Sequence, residues 1–384
     1  MIDSGSIEDA LRAADNPRFI ASYEELAAVA AGWKGCELLG IDTEFLRERT
    51  YRADLGLVQI SDGKTAWLID TVQIRNLDPL RALFTHPNIM KVFHSASEDL
   101  EVLWHTLNVT PAPMADTQIA CAMLGQALQT SYHNAVKWMT AVEVDKEQTR
   151  SNWLRRPLTA KQLHYAATDV VFLPAMHRQL HTELLRHGRW AWLLEDVTRM
   201  ATGSKVAVEF GQAYLRISGC HKLDNASLRV LRALAAWREA IALEQNSARG
   251  FILPDAILLQ LATRKPKTKE ELQGIQDLHP RALKDHQDSL LKIIEESKDS
   301  LSPLEQELPL DPVQRRKMDV MRDAVQAKAL SLNIDPALLA SKKQLETFLR
   351  AKEAGQPLPE RLSGWRQTLI TETLLNLATA ADSG

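Results

Sequence analysis

Two acids one residue apart close a hydrophobic run, Leu38-Leu39-Gly40-Ile41-Asp42-Thr43-Glu44-Phe45. If the run is a strand, its alternation puts Asp42 and Glu44 on one face, roughly 6.6 Å apart along the backbone. Carboxylates that close repel unless a cation sits between them. On its own the pair describes two solvated acids at a strand end equally well. Other acids recur at spacings that would complete a metal site. Asp99 falls in the first turn of a helix after His94, and Tyr165 and Asp169 are four apart, on one helix face. Each has a plainer reading: Asp99 as an acid complementing a helix dipole, and the Tyr165 face, which also carries Phe172, as a half-buried stripe. His94 reads as a structural, hydrogen-bonded histidine, because hard cations do not need imidazole. Glu98 and Glu101 are rival acids whose helix offsets point elsewhere.

The elements that would position these residues follow from periodicity and capping. Ser22 with Glu25 starts a short helix within 6–34, ahead of the acid-bearing strand. Residues 55–60, the Asp62-Gly63 turn and residues 65–70 predict a hairpin, giving three antiparallel strands with the first. A helix over 76–84, a fourth strand over 89–94 and a helix over 98–107 capped by Ser97 follow. Beyond them the pattern is mainly helical, with a short strand at 114–116. Thr159 and Gln162 form a capping box that opens the helix carrying Tyr165 and Asp169. Strands first and strand–helix units after them indicate an α/β fold with a mixed sheet. Near residue 200 strand patterns cease. Leu228, Leu231, Leu234, Trp237 and Ile241 make a helical stripe, Pro254-Asp255 opens another helix, and 283–294 supplies a third. After a Pro- and acid-rich break at 299–312, Met318, Met321, Val325, Ala329 and Leu332 step by three or four again. Residues 253–258 loosely parallel 334–339, as a diverged repeat would.

Length and composition bound the rest. A chain of 384 residues suggests two or three domains, and 45% hydrophobic with 25% charged residues is ordinary for a soluble protein. No apolar run is long enough to span a bilayer, and Met1-Ile2-Asp3-Ser4-Gly5 lacks the marks of a signal peptide. Cys36, Cys121 and Cys220 are few and far apart, which argues against a disulfide framework and suits a reducing cytoplasm. The net charge is −3, and neither the first 205 residues nor the remainder is markedly basic. Any nucleic-acid binding must come from local patches and metal ions rather than a global field.

Taken together, the motifs resemble the DnaQ-like 3′→5′ exonucleases. Asp42-x-Glu44 matches the first motif, Asp99 in His94-Ser95-Ala96-Ser97-Glu98-Asp99-Leu100 the second, and Tyr165-x-x-x-Asp169 the tyrosine-type third. Within that group the chain is most similar to the ribonuclease D family, through Asp42-Thr43-Glu44-Phe45, Arg49-Thr50-Tyr51, Leu55-Gly56-Leu57-Val58-Gln59 and the run from Lys146 to Leu158. The helical remainder resembles HRDC domains, through Trp237-Arg238 and Pro254-Asp255 in the first and mostly by position in the second. Asn246-Ser247-Ala248-Arg249-Gly250 lacks a proline often found there.

The resemblance implies a ribonuclease H-like α/β exonuclease domain with a mixed sheet over 1–205, then two small all-α HRDC-type domains over 212–296 and 312–384. It implies catalytic and metal-binding roles for Asp42, Glu44, Asp99 and Asp169, with two divalent ions, Mg2+ or Mn2+, as cofactors. Asp42 would bridge the ions, Glu44 and Asp169 would complete the site of the attacking water, and Asp99 would serve the other ion. Tyr165 would orient that water. Phe45 would stack on the terminal base or belong to the core, and Lys146, Arg150, Arg155 and Arg156 would contact phosphates. The cationic loop Arg264 to Lys269 either adds RNA affinity or is a soluble turn. The implied activity is a cytoplasmic, monomeric, metal-dependent 3′→5′ exoribonuclease that acts on RNA with a free 3′ end, tRNA precursors above all, and releases nucleoside 5′-monophosphates. Two alternatives stay open: an exonuclease acting on DNA, and an inactive RNA-binding scaffold.

Overall fold

The structure is a computed structural model that describes residues 2–145, 151–203, 210–297 and 309–380. The chain divides into two compact units. One joins Met1–Leu46, Leu55–Lys205 and Leu310–Gly384; the other joins Arg47–Asp54 and Val206–Pro309.

The first unit opens with helix α1 (Ser4–Asp15), strand β1 (Arg18–Ile20) and α2 (Tyr23–Trp33). The expected capping box is present: Ser22 and Glu25 each accept the other's backbone amide. The sequence predicts one short helix across 6–34, whereas two helices flank a strand there. With three residues, β1 is too short to show a period of two. Then come β2 (Leu38–Leu46), β3 (Asp54–Ser61), β4 (Ala66–Asp70), α3 (Asp78–Phe84), β5 (Met90–Phe93), α4 (Ser97–Leu107) and β6 (Met114–Asp116).

Among the described residues these form one six-stranded sheet in the order β1-β4-β3-β2-β5-β6. β3 and β4 pair antiparallel, with Val58 opposite Ile69, while β1–β4, β2–β5 and β5–β6 pair parallel. The sheet is therefore mixed, with β2 near its middle. Helices α5 (Thr117–Ala122), α6 (Tyr132–Thr140), α7 (Ala160–Val171), α8 (Leu173–Arg186) and α9 (Trp190–Gly203) follow. Gly40 of β2 explains how closely α7 and α8 approach the sheet. A Cβ there would lie 2.7 Å from the Val170 carbonyl oxygen and 2.8 Å from Leu173 Cβ, so any larger residue would push them away.

Ser97 does not cap α4. The amides of Ser95 and Ala96 instead meet the carboxylate of Asp116 at the end of β6, and that same carboxylate caps α5 through Gln118 and Ile119. A carboxylate has acceptor sites enough for several amides, which a hydroxyl lacks.

The second unit contains α10 (Asn225–Glu244), α11 (Arg249–Ile252), α12 (Asp255–Arg264), α13 (Lys269–Gln273) and α14 (Pro280–Ser297). Its core gathers Leu228, Leu231, Leu234, Ile257, Leu261 and Leu290. The stretch Arg47–Asp54 belongs to this unit: Tyr51 Oη donates to the buried Glu239 at 2.7 Å, and the Arg49 carbonyl accepts from Ala248 N at 2.8 Å. Arg249 pairs with Glu239 and lies over the Tyr51 ring. Much of the cationic loop is held within this unit. Lys265 Nζ donates to Ser227, Arg264 to the Gly274 carbonyl, and Lys269 pairs with Asp288.

The remaining helices, α15 (Pro312–Leu332), α16 (Pro336–Leu339), α17 (Lys342–Glu353) and α18 (Glu372–Ala380), belong to the first unit. There Arg366 grips both oxygens of Asp196 on α9 at 2.6 Å, and Trp365 stacks on Trp192 with centroids 4.6 Å apart.

Candidate active site

The acids converge at the end of β2. Asp42 and Glu44 share a face of the strand, and Asp169 reaches them from α7, which Gly40 allows close. Carboxylate oxygens of Asp42, Glu44 and Asp169 lie within 4.8 Å of one another. Asp99, buried in the first turn of α4, stands outside that trio, and its Oδ1 takes the hydroxyl hydrogen of Thr43. It is still near enough for its charge to act on Asp42 and Glu44.

The electrostatics match this crowding. Burial first, then the charges of Asp99, Asp169 and Glu44, push the Asp42 carboxyl well above its ordinary range. Burial, then Asp169 and Asp99, do the same to Glu44. Burial raises Asp99 to about 7 against the lowering effect of its Thr43 hydrogen bond. Asp169 also rises to about 7 through burial, opposed by the hydrogen bond from Tyr165. Such a set is short of positive charge. Its ligands are hard oxygens on a strand and a helix, which suits divalent cations of the Mg2+ or Mn2+ type.

Tyr165 is half-buried on α7, one turn before Asp169, and its ring lies against Trp153 with centroids 6.1 Å apart. The capping box of Thr159 and Gln162 starts this helix as expected. Glu98 is exposed, and neither it nor Glu101 joins the trio. His94 bonds Thr117 Oγ1 and the Thr130 carbonyl through its two ring nitrogens, which keeps it structural.

The residues assigned to substrate divide. Phe45 is half-buried at the strand end, and Arg155 is exposed. Lys146 and Arg150 lie outside the described residues. Arg156 differs from expectation, because a guanidinium has five N–H donors and all five here have acceptors. Nε and Nη2 hold the two oxygens of Asp70 at 2.7 and 2.6 Å, and Nη2 also meets the Gly56 carbonyl at 2.8 Å. Nη1 reaches the carbonyls of Trp153 and Arg155 at 2.8 and 2.9 Å. No donor remains for a phosphate.

Several supporting residues carried no signal in the sequence. Thr43 holds Asp99. Tyr132, buried beside the acids, donates from its hydroxyl to the Thr168 carbonyl at 2.7 Å, next to Asp169. Asp70 anchors Arg156. Their partners are 36 to 86 residues away, beyond any local pattern.

Comparison with known proteins agrees with this geometry. Residues 17–185 match the family of 3′-5′ exonucleases, 227–294 the HRDC domain, and 312–374 the C-terminal HRDC domain of ribonuclease D. Ribonuclease D of Pseudomonas paraeruginosa is 36% identical over 369 residues, spanning 95% of this chain and 98% of that protein. Ribonuclease D of a Shewanella species is 35% identical over 364 residues, spanning 94% of each. The crystal structure of Escherichia coli RNase D, an exoribonuclease involved in structured RNA processing, superposes with a TM-score of 0.86 at 31% identity, over 95% of this chain and 99% of that one. No helix among the described residues is long and apolar enough to cross a membrane. With its acids, its mixed sheet and both helical tails accounted for, the chain belongs to the ribonuclease D family of 3′→5′ exoribonucleases.

Proposed function

We propose that the chain trims RNA from its 3′ end one nucleotide at a time, releasing nucleoside 5′-monophosphates, and that tRNA precursors are its main substrates. One observation carries this reading: the Asp42, Glu44 and Asp169 carboxylates gather within 4.8 Å, with Asp99 alongside and Tyr165 bonded to Asp169. Asp42, Glu44, Asp99 and Asp169 are the residues that would hold two divalent cations, Mg2+ or Mn2+. When bound, such a pair lowers the pKa of a water and stabilises negative charge on the leaving oxygen.

The chain's own residues do the rest. Asp42, Glu44 and Asp169 sit on rigid elements, so the reacting groups are placed without reorganisation. Tyr165 orients the attacking water from its place beside Asp169, acting as a positioning hydroxyl rather than a strong base. The water's oxygen bonds to the terminal phosphorus, and the bond to the 3′ oxygen of the preceding nucleotide breaks. The water gives up a proton to solvent as it attacks, and the leaving oxygen takes one from solvent and becomes the new 3′-hydroxyl. Phe45 stacks on the terminal base and Arg155 meets a backbone phosphate, with Lys146 and Arg150 assigned to the same role. The protein works as a monomer in the cytoplasm. Its functional domains are 1–205, 212–296 and 312–384, and the helical ones limit how far digestion runs.

RNA labelled at its 3′ end tests this directly. The expected result is release of labelled monophosphate from 3′-hydroxyl RNA in Mg2+ or Mn2+, stopped by chelator. RNA that is bound but left intact overturns the reading, and equal digestion of matched DNA overturns the RNA preference. Asp42→Asn abolishes turnover with little change in fold. Tyr165→Phe slows turnover by about 10²-fold while keeping metal binding.

A further inference from the structure

Arg156 is fully engaged, and what it engages leads back to the site. Its fork joins Asp70 at the end of β4, the Gly56 carbonyl on β3 and the Trp153 carbonyl. Asp70 has no exposed surface, and its carboxylate also takes the amides of Val72 and Gln73 and the Gln73 side chain. A bidentate guanidinium–carboxylate pair in that setting fixes direction as well as distance. Trp153 is pressed onto the sheet as closely as backbone permits, since a Cβ on Gly56 would lie 2.6 Å from the Trp153 carbonyl oxygen. The indole, 1% exposed, lies against the Tyr165 ring with the two planes 33° apart.

We infer that Asp70 and Arg156 are positioning residues that set the Tyr165 ring through Trp153. The inference rests on the reading in which Tyr165 orients the attacking water. β3 and β4 form an antiparallel pair and supply a rigid reference. Arg156 transfers that reference to Trp153, and the flat indole limits where the phenol can lie. A misplacement near 1 Å at a reacting group costs on the order of 10²-fold in rate, so a residue remote from the chemistry can act on it this way.

The test is a double-mutant cycle on the full-length protein, with kcat, KM and metal titration measured for each variant. Arg156→Lys keeps the charge and loses the fork. In the wild-type background it is expected to lower kcat at least tenfold, with KM and the metal midpoint unchanged. In Tyr165→Phe it is expected to add less than twofold. Trp153→Leu, which keeps the position apolar and removes the flat face, is expected to repeat that pattern and serves if Arg156→Lys does not fold. An unchanged kcat overturns the inference. So does a raised KM with a weaker salt dependence, the signature of a lost phosphate contact. Equal losses in both backgrounds also overturn it while leaving Tyr165 in the mechanism. A wild-type rate for Tyr165→Phe alone removes the mechanistic reading itself, and the inference with it.

Discussion

Both helical tails carry a Trp-Arg pair, and the two arginines find different partners. In the first, Trp237 meets His286 edge-on at 5.1 Å, and Arg238 Nη1 donates to the Leu253 carbonyl and to Asp255, all within its own unit. In the second, Arg366 also donates to a carbonyl of its own region, Leu338, but its two terminal nitrogens hold Asp196 on α9. The first tail closes a core of its own, whereas the second is completed by a side chain of the nuclease region. The exposure of the acid makes the difference consequential. The side chain of Asp255 is 55% exposed, and Asp196 is 2% exposed. An acid in water survives the loss of its partner; a buried one is left as an uncompensated charge.

The sharpest way to break this comparison is Arg366→Leu. It is expected to cost about 3–5 kcal/mol in denaturant unfolding, because it leaves the buried Asp196 with only the longer contacts to Arg199 at 3.4 Å and the Trp365 indole at 3.3 Å. Adding Asp196→Leu should recover much of that loss. A cost below about 1 kcal/mol would make the second tail as separable as the first.

The clustered acids at the end of β2 extend the comparison, since no arginine pairs with any of them among the described ion pairs. Asp99 and Asp169 sit near 7 when folded, against about 3.9 when unfolded, so the folded state holds extra protons between those values. Without cations, stability should therefore fall as pH rises from about 4 to about 7 and stay low above that. Mn2+ at a hundredfold its Kd at pH 8 is expected to stabilise by about 2.7 kcal/mol there, and the same concentration should raise the melting temperature less at pH 5. Equal gains at both pH values would show that the acids are not the groups compensated.

The mildest test is Arg238→Leu. It leaves Asp255 hydrated and only the Leu253 carbonyl without its donor, with an expected cost of about 1–3 kcal/mol.

Much of the site was legible because its signals are local. Asp42 and Glu44 obey strand alternation, Tyr165 and Asp169 obey helix spacing, and the capping boxes at Ser22 and Thr159 mark where two helices begin. Arg156 misled because a cation in a loop looks the same whether water or a buried acid awaits it. Ser97 misled similarly: a hydroxyl stood at the right offset, but Asp116, nineteen residues on, took the amides. β1 went unseen because three residues carry no usable period.

Most of the element order, the helical tail and the candidacy of the four acids and the tyrosine could be read from sequence alone, since periodicity, capping and motif spacing act over a few residues. The tertiary structure alone decided that Gly40 admits α7 to the acids, that Thr43 holds Asp99 and that Arg156 serves Asp70. It also decided that the second helical tail shares a buried ion pair with the nuclease region. Each of these depends on which distant donor, acceptor or empty volume the fold brings near, and chain spacing carries no record of that.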